Sequence, residues 1–99
     1  MKEEIIFKED SKIKVKKPKM YKVILHNDDY TTMEFVIEVL VMVFNKKPAE
    51  ASKIMYDVHK RGIGIAGVYS YDIATTKIAQ VMDMAEKSGF PLKLSMEEE

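Results

Sequence analysis

The chain has 99 residues, enough for one domain with one modest core. Its apolar fraction of 46% excludes wholesale disorder, and the absence of cysteine excludes disulfides and thiolate metal sites. Sixteen bases balance sixteen acids, and no apolar run approaches the roughly 18–20 residues that span a bilayer. The mixed charges of "MKEEIIFKEDSK" are unlike a signal peptide, so the expected compartment is the cytoplasm, with no membrane partner.

Charge divides the chain in two. Residues 1–19 hold seven Lys and four acids, whereas residues 20–99 hold nine bases and twelve acids. The first stretch shows no sustained period and ends near Pro18; it is expected to be a flexible extension, followed by a core domain over 20–99. A core with net negative charge is a poor binder of nucleic acid, which needs a concentrated basic face.

"MYKVILH" alternates, with Tyr21, Val23 and Leu25 on one side and Lys22, Ile24 and His26 on the other, so it is expected to be a strand. "NDDY" stops it, because Asn and Asp side chains bond nearby backbone. "TTMEFVIEVLVMVF" then reads as a helix, with Thr31 and Glu34 at capping-box spacing. Its apolar stripe is expected at Met33, Ile37, Leu40 and Phe44, widened by Val36, Val39 and Val43. "NKKP" breaks the chain, and Pro48 suits the first turn of a second helix that stops at Gly62. On that helix Ala51, Met55, Val58 and His59 share one face. "IGIAGVYS" reads as a second strand, with Ser70 capping a third helix that buries Ala74, Ile78, Val81, Met82 and Ala85. "SGFP" ends that helix, and "PLKLSM" is a last strand with Leu92 and Leu94 on one side. The order βααβαβ predicts an α+β sandwich, a three-stranded antiparallel sheet packed on three helices.

Two places carry chemistry. Asn27, Asp28 and Asp29 supply an amide oxygen and two carboxylates, all acceptors. His59 lies on the edge of the second helix's apolar face. If the first two helices pack antiparallel, His59 approaches the acidic turn, with Met33, Val36, Met55 and Val58 beside it. Taken singly, these are also ordinary turn residues, a surface histidine and core fillers; convergence decides between the readings. Lone pairs beside an apolar hollow suit an ammonium attached to an apolar group. A peptide's α-amine, with a pKa of about 7.7–8.0, is such a group, and the first side chain follows it directly.

"YKVILHNDDYTTMEFVIEVL", followed by "IMYDVHKRG", "AGVYS" and a late Pro-Leu, resembles the ClpS family of Clp protease adaptors. The resemblance implies a protein that is not an enzyme and uses no cofactor or metal. It implies binding of N-degron peptides and proteins that begin with Leu, Phe, Tyr or Trp. It also implies their delivery to the N-terminal domain of a Clp AAA+ unfoldase of the ClpA or ClpC type. By the same resemblance, Asn27, Asp29 and His59 hold the α-amine, with Asp28 beside them. Thr31, Met33, Val36, Met55, Val58 and Leu92 would line the side-chain pocket, with Met33 as a gate against β-branched residues. Asp72 and Lys77 would belong to the unfoldase-docking face. Thr32 stands where many members have proline, and Asp72 is one methylene shorter than the usual Glu. The alternative from another class is a small ribosomal or RNA-associated α+β domain, which the acidic core disfavours. Catalysis lacks a nucleophile or metal motif, and no H-x-x-x-H-like spacing supports zinc.

Overall fold

Met20–His26 forms β1, the middle strand of a three-stranded antiparallel sheet in which Ile63–Ser70 (β2) and Lys93–Glu98 (β3) are the edges. The computed structural model describes residues 17–99, so all but the last three residues of the flexible extension expected over 1–19 lie outside the described residues. The remaining elements are helices α1 (Met33–Met42), α2 (Pro48–Arg61) and α3 (Tyr71–Ser88). Element order is βααβαβ, as the sequence predicts.

Alternation along β1 sorts its side chains. Val23 and Leu25 are completely buried in one cluster with residues from all three helices. Lys22, Ile24 and His26 occupy the other face. Ile24 is still almost buried there, because its cross-strand partners Ile65 and Ser95 flank it. His26 Nε2 lies 2.7 Å from Ser95 Oγ, joining β1 to β3 on that open face. A bulge between Val23 and Ile24 leaves Ala66 as the extra residue of β2.

The helices depart from the sequence reading in three ways. First, α1 begins later than expected: Thr32 is its N-cap, accepting the Phe35 amide at 3.1 Å. Thr31 lies one residue before the cap, and its hydroxyl is turned to Asp28, to which it donates. Second, the buried stripe of α1 is Phe35, Val36, Val39 and Leu40, while Met33 is about half exposed and Ile37 is only partly buried. Nearly every position of this helix is apolar, so periodicity does not locate its inner face; the sheet does. Third, Met82 is 47% exposed. Ala74, Ile78, Val81 and Ala85 follow one helical stripe, and Met82 stands about 100° away from Val81.

Gly62 and Gly89 end α2 and α3 in the left-handed conformation, with φ of 90° and 78°. Gly64 is required for a different reason. A Cβ there would lie 2.6 Å from Val58 Cγ2 and 3.0 Å from the Ile54 carbonyl oxygen. The close seat of α2 on β2 therefore needs a residue without a side chain. Replacing Gly64 with Ala should destabilise the domain by about 1–3 kcal/mol, the usual cost of overpacking. Thermal unfolding checks this, with an expected fall in Tm of several degrees.

Candidate functional site

The site begins with a backbone bond. The Asn27 amide donates to the Gly62 carbonyl at 2.9 Å, and the Gly62 amide donates to the Val58 carbonyl at 3.0 Å. The first residue after β1 is thus tied to the cap of α2. That tie carries the loop over residues 27–32 to the end of α2 that bears His59.

Asp28 then shapes the loop. Its Oδ1 accepts the amides of Tyr30 at 2.8 Å and Thr31 at 2.6 Å, and its Oδ2 accepts the Thr31 hydroxyl at 2.7 Å. This is an Asx-type turn closed by a side-chain clasp. Partial burial alone would raise the Asp28 pKa, but the Thr31 amide, the Thr31 hydroxyl and the Tyr30 amide together hold it below its ordinary value. Both oxygens of Asp28 are engaged. Among the described residues, no hydrogen bond or ion pair engages the side chains of Asn27, Asp29 or His59.

A cavity of about 260 Å³ opens at this junction. Asn27, Asp28, Asp29, Thr31 and His59 form its polar part, and Met33, Val36, Met55 and Val58 form its apolar wall. Val36 and Val58 are almost fully buried, whereas Met33 is 48% exposed. Met33 therefore has room to change rotamer, and a flexible thioether suits a movable wall. Oxygen and nitrogen lone pairs thus border a hydrophobic recess. The arrangement accepts a group that donates several hydrogen bonds and carries an apolar side arm.

One expected wall residue, Leu92, is not among the residues that line this cavity, although it shares the core cluster of Val36 and Val58. Leu92 is 3% exposed and borders a separate, larger hollow with Phe90, Pro91, Ala79 and Met82. The Phe90 ring packs on Phe35 at 4.9 Å, which holds this segment on the Phe35 flank of α1. Asp72 is exposed in the first turn of α3, where its carbonyl accepts the Thr75 hydroxyl at 3.0 Å. Lys77 is half-buried and donates to the Val43 carbonyl at 2.7 Å, so it is not simply a solvated charge. The sequence reading missed this bond and the clasp of Asp28. The three-residue spacing of Asp28 and Thr31 was a signal for the clasp. Among the described residues, no three His, Asp or Glu group to hold a metal ion, and no helix is long and apolar enough to cross a membrane.

The family model described as ATP-dependent Clp protease adaptor protein ClpS matches residues 16–95. The chain belongs to the ClpS family. The ClpS of Clostridium acetobutylicum is 72% identical over 87 residues, covering 88% of this chain and 86% of that protein. The ClpS of Acetivibrio thermocellus is 57% identical over 99 residues and covers both chains completely. Among solved structures, Agrobacterium tumefaciens ClpS2 bound to L-phenylalaninamide shares the fold with a TM-score of 0.80 and 41% identity. That match covers 84% of this chain and 100% of the other. By family, then, this protein is an adaptor of the Clp protease and not an enzyme.

The clasp gives a pH prediction. The folded-state pKa of Asp28 is depressed, so its contribution is complete above the unfolded-state value and is lost as pH falls through the folded one. Asp28→Asn should therefore be less stable than the parent at neutral pH, with the gap closing in acid. Denaturant titrations of both proteins across that range check it.

Proposed function

We propose that this protein grips the free α-amine and the bulky apolar first side chain of N-degron substrates, among Leu, Phe, Tyr and Trp. It then delivers them to a Clp AAA+ unfoldase. The observation that carries this reading is the one recess in which Asn27, Asp29 and His59, whose side chains are unengaged among the described residues, border Met33, Val36, Met55 and Val58. An ammonium donates three hydrogen bonds and accepts none, which matches the polar part. The side chain on the next carbon enters the apolar part.

The ligand of the A. tumefaciens relative supports the same division. L-phenylalaninamide presents a free α-amine beside a benzyl group, and its amide stands in for the peptide bond to a second residue. Family membership favours this function over the RNA-associated alternative.

Asp28 acts in this scheme mainly through the loop. Its negative charge lies beside the amine, while its hydrogen bonds hold Asn27 and Asp29 in place. Met33, exposed at the rim, is the gate. A branch at the first residue's Cβ would press on it where an unbranched Cβ passes. For docking on the unfoldase, exposed Asp72 in the first turn of α3 is a candidate contact.

Magnitudes agree with a reversible adaptor. Charge-assisted hydrogen bonds contribute about 1.5–3 kcal/mol each, and burying a Leu or Phe side chain contributes about 1.5–3 kcal/mol. Several of the first plus one of the second, less ordering costs, gives micromolar binding, about −8 kcal/mol.

Calorimetry with short peptides tests the reading. A peptide beginning with free Leu or Phe should bind in the micromolar range. Its N-acetylated twin should bind at least about 100-fold more weakly, because acetylation removes the charge and two donors. Equal affinity for the two would refute the amine grip. Shortening the gate with Met33→Ala should admit peptides beginning with Val or Ile, narrowing the preference for Phe; an unchanged preference would remove Met33 from that role.

A further inference from the structure

All the sulfur in this chain is thioether. It has eight methionines and no cysteine, so no thiol takes up an oxidant before the methionines do. Among the described residues, Met20, Met33, Met42 and Met82 are exposed, whereas Met55, Met84 and Met96 are partly buried. Solvent access decides which of these thioethers a dissolved peroxide reaches first.

The four exposed methionines have different surroundings. Met20 begins β1, Met42 ends α1 at 66% exposure, and Met82 borders the hollow beside Leu92. Of these four, Met33 alone lines the recess, where Val36, Met55 and Val58 form the rest of the apolar wall. It opens α1 as Met42 closes it, so one helix carries a thioether at the recess and another away from it. At 48% exposure, Met33 is both part of the apolar wall and open to solvent. Val36 and Val58 offer no oxidisable atom, and Met55 is better shielded.

We propose that Met33 is an oxidation switch on the recess. A peroxide converts its thioether to the sulfoxide, and the recess then loses its grip on apolar first residues. One oxygen passes from the peroxide to sulfur. The O–O bond breaks, an S–O bond forms and, with hydrogen peroxide, water leaves; sulfur is oxidised and the peroxide reduced by two electrons. A strong acceptor now stands where a weak one stood. Directed into the recess, the new oxygen loses its hydration against Val36, Val58 and the incoming side chain. Turned to solvent, it carries the side chain's apolar contacts away from the wall. Either rotamer weakens the hold on an apolar first residue. The loss of grip rests on the function proposed above; the oxidation of Met33 does not.

The experiment treats three forms of the 99-residue chain with hydrogen peroxide. They are the parent, a protein carrying Met20→Leu, Met42→Leu and Met82→Leu together, and Met33→Leu. Peptide mass spectrometry locates each added oxygen, and circular dichroism follows the fold. Calorimetry measures the affinity of a free-amine peptide beginning with Phe, each protein being compared with its own untreated form. The parent and the triple variant should bind roughly tenfold more weakly as Met33 gains one oxygen, the effect of one acceptor left without a partner. Met33→Leu should keep its own starting affinity. Methionine sulfoxide reductases of both epimer specificities should restore what the parent loses. Unchanged affinity in a protein whose Met33 is oxidised overturns the switch. So does a Met33 that stays intact after Met42 and Met82 have reacted, or a loss that follows oxidation of Met55 instead. Affinity lost together with the dichroism of the fold overturns it too, because unfolding then accounts for the change. An untreated parent that binds no free-amine peptide refutes the proposed function, and the switch falls with it.

Discussion

The hydrogen bond from the Asn27 amide to the Gly62 carbonyl brings together two chain segments that the sequence keeps far apart. Gly62 holds a left-handed conformation as the cap of α2, and this turns its carbonyl toward the loop that leaves β1. Two devices thus meet at one point, a strand end and a helix end, each with an exposed backbone group to satisfy. Satisfying both by one bond places the acidic loop beside His59. The recess is the space left between the helices once that bond is made.

The local architecture then separates polar groups that are engaged from polar groups that are not. Asp28 spends both its oxygens on Tyr30 and Thr31, while its neighbours Asn27 and Asp29 are unengaged among the described residues. A carboxylate committed to the loop costs little to desolvate, because three donors surround it. Thr31 and Thr32 divide the work in the same manner. The first closes the loop, and the second caps α1. Thr32 therefore does more than a stiffening proline would, since its hydroxyl satisfies an amide that would otherwise lack a partner.

Rigidity and freedom are also distributed by position. The base of the recess rests on Val36 and Val58, which belong to the main core with Val23, Leu25 and Leu40. Its rim rests on Met33, which solvent reaches. The recess thus has a base held by the core and a rim open to solvent. At the opposite end of the hairpin, the Lys77 ammonium meets the Val43 carbonyl beside the rings of Phe44 and Tyr69.

The strands, the three helices and the residues of the polar mouth were legible because each rests on local chemistry. Alternation marks β1, Pro48 and Gly62 bound α2, and Asn27 to Asp29 announce a turn rich in acceptors. By itself the sequence determined the order of elements and, through its resemblance to ClpS, the residues at the recess, Leu92 excepted. Tertiary structure alone decided the inner face of α1, since a helix apolar on nearly all sides has no period to read. It also decided where Leu92 and Lys77 belong. A side chain's partners in space depend on which helix crosses which, and no spacing along one segment records the position of another.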